Sequence, residues 1–338
     1  MRKKLIGLLF CMLMIISTIV PISATTVSEK TSHPQTMGNT LYVGGSGPNN
    51  YTKIQDAIDN ASDGDTVFVF DESSPYVENI IVDVSISLLG EDKDTTVIDG
   101  ANISNGVNLT ADNVTIKGFT IKNSNGSGIY LTSNNNRIND NIISDNFYGI
   151  RINYENLSTT LPPNIGHNTI TNNHIINNGG GIFTLSGWNN TVQGNIISQT
   201  EMGILLGAAV NTNISFNNIS ENLFFGITVL MSYNTVIYRN NISHNGYGVW
   251  TFITSADKIL QNNFIENNKS AISYQRFLSK IKSFKIKLNL PIRRDVWNEN
   301  YWDEPRSLPY MIPGVLLKFT FQVDWHPAQK PYDISGMR

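Results

Sequence analysis

Residues 218–250 have the sequence NISENLFFGITVLMSYNTVIYRNNISHNGYGVW, which contains nearly the same segment twice. The triplet Phe225-Gly226-Ile227 in the first half returns as Tyr247-Gly248-Val249 in the second half. Ala271-Ile272 is a weaker copy, and the same glycine recurs at Gly106, Gly128, Gly149, Gly181, Gly203, Gly226 and Gly248. A fixed period of about 20–50 residues is typical of architectures built from stacked repeats.

The copies are 21 to 23 residues apart, except for a step of 32 residues where residues 154–166 form an insertion. Each copy contains three short β-rich runs, for example residues 203–206, 213–215 and 217–220. Such short runs cannot fold back as hairpins, so we expect each to pair with its equivalent in the next copy, about 4.8 Å away. The sequence therefore predicts an all-β parallel solenoid of eight coils, roughly 40 Å long.

Asparagine recurs at fixed places in the copies. Asparagine tolerates the left-handed backbone that corners need, and stacked amides can hydrogen-bond from coil to coil. The first predicted ladder comprises Asn141, Asn173, Asn195, Asn217, Asn240 and Asn262. The second comprises Asn146, Asn178, Asn222, Asn245 and Asn267, with Thr200 interrupting it. The asparagine content therefore indicates architecture first.

Both ends of the solenoid need caps, because terminal coils would otherwise expose their core and their strand edges. Residues 52–55 predict a capping box, and residues 54–61 carry apolar side chains at helical spacing before Gly64. We expect this helix to cover the first coil. Alternation over residues 82–88 predicts an early strand, and residues 96–100 predict a further one.

The composition changes after the repeats. Residues 276–294 contain basic side chains and no acid, which favours either a patch for an anionic glycan or an edge strand protected by lysines. We expect an aromatic-rich block to seal the last coil, formed by Trp297, Tyr301, Trp302, Trp325, His326 and Pro327.

Residues 1–24 predict a secretory signal peptide, with three cations before the apolar run 5–20 and small residues up to Ala24. An uncleaved membrane anchor is the alternative. Cys11 is the only cysteine, so the mature chain has no disulfide. The predicted organisation continues with a linker (25–40), an N-terminal cap with the first coils (41–100), the β-helix repeats (101–275) and a basic strand with a C-terminal cap (276–338).

The charge of the mature chain argues against one class of partner. Loss of three cations reduces 24 Lys and Arg to 21, against 27 Asp and Glu, which gives a net charge of −6. This net negative charge disfavours nucleic acid as a binding partner. No later stretch is long and apolar enough to span a membrane. We therefore expect a secreted or cell-surface protein whose partner is a polysaccharide or a cell-envelope glycan.

Several segments together carry a family resemblance: IQDAIDNASDGDTVFV (54–69), YVENIIVDVSISLLGE (76–91), TVIDG (96–100) and NENYWDE (298–304). With the intervening coils, they resemble the NosD-type right-handed parallel β-helix family, within the pectin-lyase-like group. The resemblance covers roughly residues 41–305 and implies an exported, carbohydrate-associated or cell-surface β-helix, with a copper-site accessory role for the type member. Residues 321–334 resemble the ends of uncharacterised archaeal surface proteins of this kind.

Catalytic motifs of polysaccharide-cleaving β-helix enzymes are not recognisable, so we expect no enzyme activity. General acid–base chemistry on a glycan needs two neighbouring carboxylates. The alternative is a polysaccharide lyase or glycoside hydrolase, for which Arg151 and Glu155 are the candidate catalytic residues.

The repeat places one histidine between two acids. Glu221, His244 and Glu266 occupy equivalent turn positions on consecutive coils. Such a column could bind a divalent metal, and the resemblance adds copper as a second alternative function. The competing interpretation is a solvated turn with weak charge pairing, so we expect no cofactor.

Residues after each repeat glycine alternate between the interior and the outside. The outward column comprises Tyr130, Arg151, Phe183, Leu205, Thr228 and Trp250, with Phe252 beside it, and Tyr148, Met202, Phe225 and Tyr247 at the edge. Exposed aromatic rings suit stacking on sugars. The predicted glycan-binding residues are Tyr130, Tyr148, Arg151, Phe183, Phe225, Tyr247, Trp250 and Phe252. Burial of the same row under the C-terminal segment, in a structural protein, is the alternative.

Overall fold

The structure is a computed structural model and describes residues 38–153, 165–274, 294–314 and 321–334. The predicted signal peptide, Glu155 and nearly all of the basic run 276–294 lie outside the described residues. The fold is the predicted one, a right-handed parallel β-helix, with one short α-helix among the described residues.

Among the described residues, three long parallel sheets form the walls of the β-helix. Sheet 1 has 11 strands: β1 (Thr40–Val43), β2 (Thr66–Val69), β5 (Ser87–Gly90), β8 (Thr115–Lys117), β11 (Arg137–Asn139), β15 (Thr169–Thr171), β19 (Thr191–Gln193), β22 (Asn213–Ser215), β25 (Val236–Tyr238), β28 (Lys258–Leu260) and β31 (Val296–Asn298). Sheet 2 has 10 strands: β3 (Tyr76–Val77), β6 (Val97–Asp99), β9 (Thr120–Lys122), β12 (Ile142–Ser144), β16 (His174–Ile176), β20 (Ile196–Ser198), β23 (Asn218–Ser220), β26 (Asn241–Ser243), β29 (Asn263–Ile265) and β32 (Tyr301–Trp302).

Sheet 3 carries the outward column predicted above. Its nine strands are β4 (Ile80–Val82), β7 (Val107–Leu109), β10 (Ser127–Leu131), β13 (Tyr148–Ile152), β17 (Gly180–Leu185), β21 (Met202–Gly207), β24 (Phe225–Leu230), β27 (Tyr247–Phe252) and β30 (Lys269–Tyr274). Two smaller pairs are β14 (Ile165–Gly166) with β18 (Gly187–Trp188), which is parallel, and β33 (Tyr310–Pro313) with β34 (Phe321–Asp324), which is antiparallel.

The repeat spacing sets the register between coils. Ile150 pairs with Ile182 and Ile182 with Ile204, so one residue type stacks on itself along the axis. Most of these inward isoleucines are fully buried. Coils continue before Gly106 and after Ala271, where the glycine signal is weak, so sheet 1 has 11 strands instead of the eight predicted. At about 4.8 Å per step, the rod is roughly 50 Å long.

The predicted N-terminal cap is confirmed, with a different capping residue. Helix α1 (Ile54–Asp59) buries Ile54, Ala57 and Ile58 against the first coil. The capping-box prediction is wrong, because the N-cap residue is Lys53 and its side chain makes no cap hydrogen bond. The backbone N–H groups of Ile54 and Gln55 instead donate to the Glu78 carboxylate at 2.9 and 3.1 Å. A residue distant in sequence thus satisfies the free end of the helix.

The predicted early strand over residues 82–88 is two strands. β4 ends at Val82 in sheet 3 and β5 begins at Ser87 in sheet 1. The alternation of apolar and polar residues continues across the corner between them, because Ile86 is also buried. The two strands therefore appear as one in the sequence. By contrast, the prediction at residues 96–100 is confirmed as β6.

Both asparagine ladders are confirmed. In the first ladder, the side-chain oxygen of each asparagine accepts hydrogen bonds from the backbone N–H and the Nδ2 group of the asparagine one coil earlier. For example, Asn217 Oδ1 lies 2.9 Å from Asn195 N and 3.0 Å from Asn195 Nδ2. Asn300 extends this ladder beyond the predicted end. A third ladder was not predicted, because its members change chemical type: Asn136, Asn168, Asn190, Asp257 and Asp295 accept its hydrogen bonds, and Thr212 and Thr235 interrupt it. The corners are therefore held by buried side chains from coil to coil.

Aromatic rings seal the C-terminal end, as predicted. Trp302 stacks on Phe264 at 4.4 Å and on Tyr310 at 4.0 Å between ring centroids, and Trp297 is also buried. Trp325 and His326, predicted as part of this seal, are exposed instead, because β34 ends at the inward-facing Asp324 just before them. Within the described residues, no helix combines the length and apolar character needed to cross a membrane.

Candidate functional site

The outer face of sheet 3 carries the predicted column in register. Tyr130 pairs with Arg151, Arg151 with Phe183, and Thr228 with Trp250 on successive coils. Parallel in-register strands keep equivalent side chains one above the other, so the column follows directly from the repeat. These side chains form two aromatic clusters.

Arg151 is the centre of the first cluster. Its guanidinium carbon lies 5.4 Å from the ring centroid of Tyr130, 5.7 Å from that of Tyr148 and 5.9 Å from that of Phe183. The Tyr148 and Phe183 rings are 5.1 Å apart. The Nε atom of Arg151 is buried, with no hydrogen-bond partner within the described ranges. Cation–π attraction therefore holds the arginine against the rings.

The second cluster lies further along the rod. The ring of Phe225 stacks on Tyr247 at 5.2 Å and on Trp250 at 5.0 Å, and Trp250 lies 6.3 Å from Phe252. Lys269 places its ammonium 5.6 Å from the Tyr247 ring. All four rings are partly exposed. The cluster therefore presents aromatic surface at the outside of the rod.

Three members of the predicted outward row are buried. Leu205 is 2% exposed, Thr228 is fully buried and Met202 is 9% exposed. Thr228 lies between Leu205 and Trp250 on the neighbouring coils, about 4.8 Å away, so larger side chains cover it on both sides. The aromatic row is therefore interrupted rather than continuous.

A small cavity lies at this interruption. It has a volume of about 90 Å³ and is lined by Phe147, Tyr148, Gly179, Gly180, Gly181, Ile182, Phe183, Glu201, Met202 and Leu205. Phe147, Gly179, Gly180 and Glu201 were not among the predicted site residues. The available signal was Gly180, because the other copies have a side chain directly before the repeat glycine. Burial raises the pKa of Tyr148, while Arg151 acts to lower it and Glu201 to raise it.

The predicted metal column is only partly assembled. Glu221, His244 and Glu266 share the left-handed corner conformation, and His244 Nε2 lies 2.8 Å from Glu266 Oε2. Glu221 instead accepts a hydrogen bond from Gln199 at 3.3 Å. No three His, Cys, Asp or Glu side chains of the described chain segments are grouped so that they could hold a metal ion. The arrangement is an exposed His–Glu pair.

The candidate catalytic pair cannot be assembled from the described residues. Arg151 lies within the first aromatic cluster, and Glu155 lies in the segment 154–164, outside the described residues. Arg151 is thus placed to support an aromatic surface.

Comparisons with known proteins agree with the geometry of the fold. A family model described as "Periplasmic copper-binding protein (NosD)" matches residues 58–307. A structure of XylC in complex with xylose aligns with a TM-score of 0.61 at 12% identity, covering 85% of this chain and 73% of that one. An alginate lyase from Paenibacillus sp. str. FPU-7 aligns with a TM-score of 0.49 at 14% identity, covering 70% and 94%. No curated protein matches the sequence. At these identities, the structural likeness concerns the fold.

Proposed function

This chain belongs to the NosD family of periplasmic or surface β-helix proteins, and we propose that it binds a polysaccharide along the outer face of sheet 3. The observation that carries the proposal is the pair of partly exposed aromatic clusters on that face. They are centred on Arg151 and on Trp250.

The chemistry of the face favours sugar rings. Tyrosine and tryptophan combine a flat apolar surface with a polar group, which suits the C–H face and hydroxyl rim of a sugar. Phe225 and Trp250 are nearly parallel, with 23° between their planes. Their mutual packing reduces the side-chain freedom that binding would otherwise have to remove. A preorganised surface of this kind supports binding without any catalytic group.

The shape of the rod favours an extended ligand. The two clusters lie on the same sheet, with strands β21 and β24 between Phe183 in β17 and Trp250 in β27. The corresponding separation is three coil steps, or roughly 14 Å. A polymer lying along the rod could contact both clusters at once, and linked contacts of this kind raise the overall affinity.

The family description also names copper, and the described residues do not fit a copper site. Copper in proteins prefers imidazole, thiolate and thioether ligands. His244 contacts a carboxylate, and no His, Cys, Asp or Glu group of three is present in the described parts of the chain. The described histidines are dispersed: His167, His174, His244 and His326. We therefore derive no function from copper.

A glycan array tests the proposal. Purified wild-type protein and the Trp250→Ala variant are compared for binding, while released reducing ends are measured in the same samples. The Trp325→Ala variant is the matched control, because it removes an exposed tryptophan outside sheet 3. We expect wild-type protein and the control to bind a glycan, Trp250→Ala to lose at least tenfold in affinity, and no sugar ends to be released.

Two results would overturn the proposal. Release of reducing ends would identify an enzyme and direct attention to Arg151 and Glu155. Absence of binding to every glycan would leave a structural role for the solenoid.

A further inference from the structure

The coil that begins at Gly179 leaves a notch in the outer face of sheet 3. Gly180 pairs with Tyr148 on one side and Met202 on the other, and Glu201 donates its backbone N–H to the Gly179 carbonyl at 3.0 Å. Gly179 and Gly180 therefore place no side chain between Tyr148 and Met202. The flanking coils are two steps apart, roughly 10 Å between backbones.

The walls of the notch are apolar, with one acid at the entrance. The Phe147 and Tyr148 rings pack edge to face at 4.7 Å on one side, and Met202 lies on the other. A β-carbon added at Gly180 would lie 2.8 Å from the Tyr148 ring, so the missing side chain is what keeps the space open. Glu201 also lines the space and is exposed.

The volume of the notch limits which chemical groups can enter it. The cavity measures about 90 Å³. A cavity needs about 10–15 Å³ of such space to hold one water molecule, whereas pockets for whole small molecules measure roughly 300 Å³ or more. The notch can therefore accept one substituent of a sugar, while the ring itself remains outside on the aromatic surface.

The lining selects among substituents. A carboxylate or sulfate would be desolvated against the aromatic rings, and the repulsion of Glu201 would oppose the attraction of Arg151, which packs on Tyr148 and Phe183. A hydroxyl would leave most of the apolar wall without contact. An acetamido group offers a methyl for Met202 and Tyr148, and an amide N–H that can donate to the Glu201 carboxylate.

We infer that the notch between Tyr148 and Met202, floored by Gly179 and Gly180, is a subsite for the acetamido group of an N-acetylated amino sugar. This inference rests on the proposed function, since it assigns the glycan that the aromatic face binds. Glu201 receives the amide N–H and the notch receives the methyl group.

Calorimetry with three β-1,4-linked hexasaccharides tests the subsite: N-acetylglucosamine, glucosamine and glucose oligomers. We expect wild-type protein to prefer the N-acetylated oligomer over the glucose oligomer by about tenfold, equivalent to about 1.4 kcal/mol. Gly180→Leu should fill the notch and remove this preference. Lys258→Leu is the matched control, because it adds the same apolar side chain at an exposed position on sheet 1, away from both aromatic clusters, and should keep the preference.

A second pair of variants tests the subsite without changing Gly180. Glu201→Ala should reduce the preference severalfold, whereas Glu201→Gln, which keeps an acceptor oxygen, should retain most of it. Equal affinity of the wild-type protein for the N-acetylated and glucose oligomers, or tighter binding of the glucosamine oligomer, would overturn the subsite and leave glycan binding intact. If none of the three oligomers binds, although the protein binds another glycan, the subsite is also overturned. Failure to bind any glycan overturns the proposed function itself.

Discussion

The carboxylate of Asp324 lies where the first ladder would place the side-chain oxygen of its next asparagine after Asn300. The backbone N–H and Nδ2 of Asn300 donate to Asp324 Oδ2 at 2.9 and 3.0 Å. Trp302 Nε1 adds a third bond to the same oxygen at 3.1 Å, and Oδ1 accepts from the backbone N–H groups of Glu299 and His326. Five N–H groups converge on one fully buried carboxylate, which ends the ladder.

Asp324→Asn should therefore destabilise the protein, although asparagine is the usual ladder residue. Its Nδ2 group would face N–H donors in place of one acceptor oxygen. We expect a loss of about 2–3 kcal/mol in the free energy of unfolding, the cost of buried donors without an acceptor. Denaturant unfolding followed by tryptophan fluorescence measures this loss. An unchanged unfolding midpoint would show that the carboxylate does not terminate the ladder.

Asp257, in the third ladder, is a buried carboxylate with fewer hydrogen-bond donors than Asp324. Its Oδ1 accepts from Thr235 N–H at 2.8 Å, and its own N–H donates to Asp295 Oδ1 at 3.0 Å. The Oδ2 atom is buried and has no hydrogen-bond partner within the described residues. Burial, followed by the neighbouring Asp295 carboxylate, raises the pKa of Asp257 well above its usual range.

Asp257→Asn should stabilise the protein at neutral pH. The raised pKa means that the folded state holds a proton that the unfolded chain releases above about pH 4. Stability is thus lost as the pH rises from about 4 through the raised folded pKa, and asparagine removes this loss. Melting temperatures at pH 4 and pH 7 measure the effect. We expect the variant to melt higher at pH 7, with a smaller difference at pH 4; an advantage that is larger at pH 4 would contradict the assignment.

Thr212→Asn should repair a second defect in the third ladder. Asn190 Nδ2 and Thr212 Oγ1 are both buried and without partners within the described residues. An asparagine at 212 would offer Oδ1 to Asn190, as Asn217 does for Asn195. We expect a gain of about 1 kcal/mol in the free energy of unfolding. The control is Thr191→Asn, which lies outside the ladder on β19 and should give no gain.

Glu78→Gln should loosen helix α1. The carboxylate accepts from Ile54 N–H and Gln55 N–H, and its charge favours the helix N-terminus. We expect a loss of about 1 kcal/mol, with faster hydrogen exchange at both amides. Exposed Glu72 provides the matched control, because Glu72→Gln should leave exchange at these amides unchanged. Unaltered exchange in Glu78→Gln would show that the helix does not depend on this cap.

The repeated coils were predictable because their signals are local. Each copy contributes its own glycine, its inward isoleucines and its ladder asparagine, so position in one coil predicts position in the next. The candidate face followed from the same alternation, which placed Arg151 beside Phe183 and Thr228 beside Trp250. Repetition made weak local preferences consistent over many coils.

The ends were less predictable because their partners are distant in sequence. Glu78 caps a helix that begins 24 residues earlier, and Asp324 ends a ladder at a residue 24 positions away. Neither acid belongs to a repeated pattern. The third ladder was missed for a related reason. Its Asn, Thr and Asp members occupy equivalent positions in successive coils but differ in residue type, so no single residue repeats in the sequence.

The sequence by itself determined the parallel β-helix, its register, its two main ladders and the aromatic character of one face, because a period of about 22 residues repeats each of these. Only the tertiary structure decided which outward side chains are covered. Thr228 is buried between Leu205 and Trp250, and a notch opens at Gly180, because exposure depends on the bulk of side chains one coil above and below. Those neighbours are about 5 Å away in space and more than 20 residues away in the chain.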